Sequence, residues 1–365
     1  MAVVSKHALI SVLLAFLLLL ARPAAAQEVA DWQKLLAAAR QEGVVVVAMS
    51  PSQARRNFFL KQWKQDYPDI ELSLTNAPRS FVPQLVAERS AGKFLWDVYA
   101  GGPNTGISLI KAGLLDPLMP ELVLPENQDL ADFGGADDAF FDPEKKYLLS
   151  LVIDLTAPAY NAKLVAPAKA QALGLKLLLE PEMTGKITWY DPRTEGPGGP
   201  FLVLIARVLG EEALKRILTA QDPVFVPNLN DVATALVRGR ALIGMGSKPR
   251  EIMVPFKNAG LDVDIRPLGN TPETAYRTTD GATLAVIRNR PHPNAARLFV
   301  NWEMSKRISA LMAKLTEYPS RRASVPPPDP DNVPIRGAAY VDAQRDENDA
   351  LMRHWQAELK RLRPQ

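Results

Sequence analysis

Apolar residues recur along this chain in two alternating rhythms. Val29, Trp32, Leu35, Leu36 and Ala39 follow helical spacing, and Gly43 stands where such a helix would stop. Val44 to Met49 is a short continuous apolar run, the pattern of a strand buried on both faces. Residues 54–67 return to helical spacing with Phe58, Phe59 and Trp63 inward, ended by Pro68. Ile70 to Thr75 predicts a strand, Ser80 to Ala91 a helix closed by Gly92, Trp96 to Ala100 a strand, and Asn104 to Ala112 a helix closed by Gly113. This β-α-β-α-β order predicts an α/β unit whose parallel sheet is covered by helices on both faces.

A second α/β unit follows. Tyr147 to Tyr160 holds extended segments broken by Pro158. Strands are predicted over Lys186–Tyr190, Pro223–Val226, Ala241–Met245 and Asp262–Pro267. Between them lie helical patterns at Phe201–Leu209, Glu211–Ala220, Asp231–Arg238 and Arg250–Ala259. Gly281 to Ile287 is again strand-like, and Pro293 to Ala313 predicts one long amphipathic helix with Ala296, Phe299, Val300 and Met304 on one face. Trp32, Trp63, Trp302 and Trp355 fall on apolar helix faces. No internal repeat is found. Beyond the stiff run Pro326-Pro327-Pro328-Asp329-Pro330, residues 343–362 predict a helix with Leu351, Trp355, Leu359 and Leu362 in one stripe. Such a stripe packs on the body of its own protein or docks a partner.

The N-terminus changes the picture from fold to compartment. Lys6 and His7 precede an apolar run from Leu9 to Leu20, followed by Arg22-Pro23 and Ala24-Ala25-Ala26-Gln27. Charge, apolar core and small-residue site in that order predict a secretory signal peptide over 1–26. The run is about a dozen residues, shorter than the ~20 a spanning helix needs. Removing it takes away Lys6 and Arg22 and no acid, so the formal net charge of +3 falls to +1. That balance, with no basic tract, gives no reason to expect nucleic acid as a partner. The length predicts two domains. There are no cysteines, which excludes disulfides, thiolate metal sites, a Cys nucleophile and a lipidated N-terminal Cys. An exported chain without a membrane tether points to a periplasm.

Candidate chemistry comes from the strand-to-helix junctions. In open α/β sheets ligands bind outside the carboxyl ends of the strands, where the following helices present free N–H groups. This rule selects Ser50-Pro51-Ser52, Asn76 to Ser80 and Gly101 to Thr105 in the first unit, and Asp191 to Gly199 and Gly246 to Arg250 in the second. Thr278-Thr279-Asp280 lies where the chain returns. The candidate ligand contacts are therefore Ser50, Ser52, Arg79, Ser80, Gly101, Gly102, Asn104, Arg193, Thr194, Gly198, Gly199, Lys248, Arg250, Thr279 and Asp280. Ser52 equally suits a helix N-cap, and Gly101 and Gly102 equally suit a bare turn. Gly198-Gly199-Pro200 is the sharper signal, since two glycines admit close backbone approach and Pro200 suits a first helical turn. Trp189-Tyr190 could offer a stacking surface. Arg79, Arg193, Lys248 and Arg250 all fall on these loops and favour a carboxylate or phosphate. Glu195 and Asp280 weigh against that unless they pair with the cations.

Enzymatic chemistry finds little footing. There is no nucleophile-elbow, HExxH or phosphate-loop pattern. His292 and His354 are the only histidines beyond the leader. His292, beside Pro293, reads as a residue at a helix start. The sequence predicts no enzyme, no cofactor and no metal set of soft or borderline ligands.

Taken in order, GVVVVAMSP from Gly43, DYPDIE from Asp66, LVAERSAGKFLWDV from Leu85, KAGLL from Lys111, Tyr160-Asn161, GKITWYDPRTEGPGG from Gly185, PHPNAARLFVNW from Pro291 and YPSR from Tyr318 are similar to a known set. Together they resemble the periplasmic solute-binding proteins of the iron(III)/thiamine/putrescine-like group of ABC transporters, over about residues 28–325. The resemblance implies the type II periplasmic binding fold, two α/β lobes joined by hinge strands that close on a ligand. It implies lobe 1 over 27–152 and 280–325, lobe 2 over 153–279, and a linker and helix over 326–365. It also implies a receptor that hands a small solute to an inner-membrane ABC permease; we expect a monomer. Ferric binders of the group carry adjacent tyrosines after the strand that here is Ala241–Met245. This sequence has Gly246-Ser247-Lys248-Pro249-Arg250 there and no Tyr-Tyr pair anywhere, which argues against naked ferric ion. A small anionic organic solute is the expected ligand. The alternatives are a ferric complex and a sensor subunit docking on a signalling kinase.

Overall fold

The computed structural model describes residues 29–363 apart from 51, 78–79, 195, 247, 280–281, 329–332, 336 and 344. The expected leader over 1–26, the candidates Arg79 and Asp280, and the side chain of Arg250 lie outside the described residues. The chain divides into two compact units, Met1–Leu151 with Gly281–Pro326, and Val152–Asp280 with Pro327–Gln365.

In the first unit, Glu71–Asn76, Val44–Met49 and Val98–Gly101 lie side by side in parallel, with Met49 opposite both Asn76 and Ala100. The helix over 29–42 ends at Gly43, whose φ of 73° only glycine adopts at low cost. A fourth strand, Thr283–Ile287, joins antiparallel with Thr283 opposite Gly101. Its other edge is shared by Leu115–Asp116 and Leu149–Ser150. The sheet is therefore mixed rather than wholly parallel: its antiparallel member arrives from distant sequence, which local alternation does not report.

Helices Gln53–Asp66 and Pro293–Met304 cover one face of this sheet. Phe59, Trp63, Phe299 and Trp302 meet in tilted and edge-on pairs with centroids 5.2–6.1 Å apart, the geometry that ring quadrupoles favour. Both indole N–H groups are bonded, Trp63 to the Ile70 carbonyl at 2.8 Å and Trp302 to Asp66 at 2.7 Å. Phe81, Leu85, Trp96, Tyr99 and Leu109 fill a second cluster. The buried Asp97 carboxylate accepts the N–H groups of Val46 and His292 and meets His292 Nδ1 at 2.9 Å. His292 thus anchors the start of its helix.

The single helix expected over 293–313 is two, Pro293–Met304 and Lys306–Thr316. Ser305 between them is extended, at φ −57° and ψ 147°, and its hydroxyl oxygen accepts from Ile308 N at 3.4 Å. A serine that can cap a new helix competes with continuing the old one. Near this break, Glu303 is 4% exposed. Burial raises its pKa to about 7, with partial relief from Arg55.

In the second unit the sheet order is Ile265–Pro267, Ala159–Asn161, Ile243–Met245, Ile187–Tyr190, Val224–Val226. The last three are mutually parallel, and Ala159–Asn161 runs antiparallel to both its neighbours. Helix Gly199–Leu209 buries Phe201, Leu202, Val203, Leu204 and Ile205. A helix apolar all round must be covered on every side. Helix Glu211–Thr219 and the C-terminal helix Asp346–Leu362 both pack against it. Beyond the proline-rich run, Val341–Asp342 pairs with Tyr276–Thr278, which pairs with Asp154–Thr156. The apolar stripe of Asp346–Leu362 then faces this unit, with Trp355 and Leu359 in its core.

Two outcomes follow from these cores. Leu359→Ala removes a fully buried side chain and should lower stability by about 3 kcal/mol, read as a lower urea midpoint with an unchanged slope. Glu303 keeps its proton in the folded chain up to about pH 7 but loses it near its ordinary 4.5 when unfolded. The folded state therefore binds more protons in that window, and stability should fall as pH rises through it, by on the order of 3 kcal/mol in all. Urea midpoints from pH 4.5 to 8 should show this slope, and Glu303→Gln should flatten it.

Candidate functional site

Register decides which loops share an edge. In the first unit Met49, Asn76 and Gly101 end parallel strands together, and Thr283 and Ser150 sit at the same edge through the antiparallel strand. Gly101 is itself one of these ends, and Ser50, Ser52, Gly102 and Asn104 follow closely on them. Ser52 is the N-cap of Gln53–Asp66, its hydroxyl oxygen accepting from Arg55 N at 3.4 Å. Gly102 starts helix Pro103–Lys111 with no side chain capping it. The turn before that helix is shaped by Tyr99, whose hydroxyl donates to the Gly102 carbonyl at 2.6 Å. Its ring lies so close to Gly101 that a Cβ there would fall 2.5 Å from it. Burial pushes the Tyr99 phenol well above its ordinary pKa, which keeps it a donor. Thr283 completes the turn by donating to the Gly101 carbonyl at 2.7 Å. Ser80 is exposed and makes no side-chain cap at the start of Phe81–Ser90.

At the same edge, Arg321 donates to Ser150 Oγ at 3.3 Å and lies 3.8 Å from Asp138. Arg321 belongs to the YPSR stretch noted in the sequence. Its distance in the chain from every strand-end loop hid its place beside them.

In the second unit Tyr190, Val226 and Met245 end parallel strands on one edge. The 191–198 loop is internally tied. Arg193 forks onto both carboxylate oxygens of Asp191 at 2.8–3.2 Å. Its guanidinium also lies 5.2 Å from the centroid of the Phe225 ring. Burial would raise the Asp191 pKa, but the bonds and charge of Arg193, with help from Lys360, hold it below the usual range. Arg193 rises in turn through its bond to Asp191. Thr194 turns its hydroxyl back to the Asp191 carbonyl at 2.8 Å.

Gly198 and Gly199 answer to the protein's own packing. A Cβ on Gly198 would lie 1.9 Å from the Tyr190 carbonyl oxygen, and one on Gly199 would lie 2.9 Å from Met352 Sδ. Gly198 starts helix Gly199–Leu209 without a side-chain cap. Trp189 offers no stacking surface: it is fully buried, with its N–H on the Gly198 carbonyl at 3.0 Å. Tyr190 is half-buried between two loops, with Gly196 and Gly246 close against its side chain.

Lys248, at the start of Pro249–Asn258, lies 2.5 Å from Asp154, whose side chain is wholly buried. Thr279 is buried as well. Of the four cations on the predicted loops, Arg193 and Lys248 therefore have carboxylate partners within their own unit. Among the described residues no group of three or more His, Asp or Glu could hold a metal ion. No helix among them is long and apolar enough to cross a membrane.

Comparison with known proteins gives the context. No curated protein matches the chain by sequence. Solved structures do match in fold. Iron-bound HitA from Pseudomonas aeruginosa is 18% identical, with 87% of this chain and 98% of that one covered, at a TM-score of 0.60. AfuA from Actinobacillus pleuropneumoniae, with exogenous fructose 6-phosphate bound, is 18% identical over 87% and 99%, at 0.55. Trichodesmium IdiA (FutA), in complex with iron and citrate, is 14% identical over 88% and 98%, at 0.59. The architecture is thus the type II periplasmic binding fold. Residues 59–336 match the family described as bacterial extracellular solute-binding protein, and the chain belongs to that family.

Proposed function

We propose that this protein is an exported, periplasmic receptor that captures a small anionic organic solute and hands it to an inner-membrane ABC permease. The observation that carries the anionic preference is shared by both units: a helix with no side-chain cap after the carboxyl end of a strand, begun by Gly102 directly after Val98–Gly101 in one unit and by Gly198 across the loop after Ile187–Tyr190 in the other. The first amides of such a turn lack carbonyl partners and carry partial positive charge, which suits a carboxylate or phosphate. The anionic preference rests on these amides more than on Arg193 or Lys248, which already have carboxylate partners. Ser50, Ser52, Ser80, Asn104, Thr194, Thr279 and the cations Arg79 and Arg250 remain the proposed polar surround, with Asp280 beside them.

The fold is shared with a protein that bound fructose 6-phosphate and with one that held iron and citrate. The second supports an alternative cargo, ferric ion carried with an organic anion. It is the weaker reading, because Gly246 and Lys248 stand where adjacent tyrosines would serve ferric ion.

A thermal-shift screen of organic acids, sugar phosphates, citrate with and without ferric ion, polyamines and thiamine tests the proposal. A ligand at a hundred times its Kd should stabilise by about 2.7 kcal/mol, a rise of a few degrees. The expected hits are anions. A response to polyamines or thiamine alone would sink the anionic reading. Arg250→Ala should weaken the hit about tenfold, the scale of one charge-assisted bond, while leaving the ligand-free melting point unchanged.

A further inference from the structure

The C-terminal segment does more than fill a core. The family match stops at residue 336, so helix Asp346–Leu362 lies beyond it. The apolar stripe of that helix faces the core of the second unit, yet a separate set of its groups reaches the 191–199 segment. Gln356 Nε2 donates to the Pro192 carbonyl at 2.9 Å and to the Thr194 carbonyl at 3.4 Å. Met352 Sδ sits over Gly199, where a Cβ would fall 2.9 Å from it. From the loop side, Arg193 Nη1 donates to the Arg363 carbonyl at 2.9 Å. The Arg363 side chain in turn bonds Asp222 at 2.8 Å and the Pro223 carbonyl at 2.9 Å, and lies 4.9 Å from the same Phe225 ring that Arg193 covers.

The Gln356 bonds go to backbone carbonyls of a strand-to-helix loop, Arg193 returns one from that loop to the Arg363 carbonyl, and burying Trp355 or Leu359 requires none of them. We propose that the C-terminal helix is a strap that positions the 191–198 loop for ligand. Gln356 is its main positioning residue, and Arg193 is the loop's own tie to the strap rather than a ligand contact. A loop otherwise free to fluctuate would spend binding energy on becoming ordered. Held at Pro192, Arg193, Thr194 and Gly199, it keeps the uncapped first turn of Gly199–Leu209 in place before ligand arrives. This inference rests on the proposed binding role of that loop.

The test uses the full chain. Gln356→Met keeps side-chain length and loses both donated bonds, and Gln356→Glu is a second, isosteric variant. Arg353→Ala, which removes an exposed ion pair to Asp349 on the same helix, is the control. Hydrogen exchange of the Arg193, Thr194, Gly196 and Gly198 amides should quicken about tenfold in both Gln356 variants and stay unchanged in the control. Affinity for fructose 6-phosphate and citrate, the probes, should fall severalfold while the melting point moves by no more than it does in Arg353→Ala. Unchanged loop exchange would overturn the strap. Faster exchange with unaltered probe affinity would overturn its role in binding. If the wild-type chain binds neither probe, loop exchange alone decides whether the strap stands, and the anionic reading is decided by the wider screen.

Discussion

The first turn of an α-helix carries amides with no carbonyl to bond, and in both units such a turn follows the carboxyl end of a parallel strand, directly at Gly102 and across the 191–198 loop at Gly198. That constraint organises the rest. Gly101, Gly102 and Asn104 follow one sheet edge together with Ser50 and Ser52, and at another Gly198 and Gly246 both lie close against Tyr190. The same constraint explains why the surrounding side chains work to hold backbone. Tyr99 and Thr283 fix the carbonyls of Gly102 and Gly101, and Trp189 fixes that of Gly198.

In the second unit, two cations on the loops near its turn have carboxylate partners. Asp191 takes Arg193, and Asp154 takes Lys248. A carboxylate at this candidate edge would repel an anion if left alone, so the pairing offsets both charges there and leaves the oriented amides of the first helical turn as a positive element. Fixed dipoles of this kind need no reorganisation when an anion arrives. Their effect is also less open to screening by salt than that of exposed side-chain cations.

Much of the architecture was legible in the sequence because α/β order writes itself locally. The apolar run Val44 to Met49 and the helical spacing of Phe59 and Trp63 reappear as a buried strand and an inward helix face. The antiparallel Thr283–Ile287 strand and the break at Ser305 did not announce themselves. The first depends on pairing with residues far away, and the second on a single hydroxyl competing for a backbone amide. At the candidate site, the strand-end rule selected loops that strand register brings to common sheet edges, while the surroundings of several side chains depend on contacts that the sequence does not display. Arg193 and Trp189 look exposed in a loop-rich sequence, yet tertiary contacts with Asp191, Phe225 and Phe201 enclose them. Gly198 and Gly199 invite a ligand-approach reading, although a strand carbonyl already requires glycine at 198 and the Met352 side chain packs close against Gly199. Arg321 and Asp154 were not singled out, since only the fold brings them to the edges where they act.

The most direct test of the account is amide-resolved NMR of the protein titrated with the anion that stabilises it best. The account predicts that the backbone amides of Asn104, Thr105 and Gly199 shift together and saturate with the affinity measured by calorimetry. Shifts confined to other surfaces, with these amides unmoved, would contradict it.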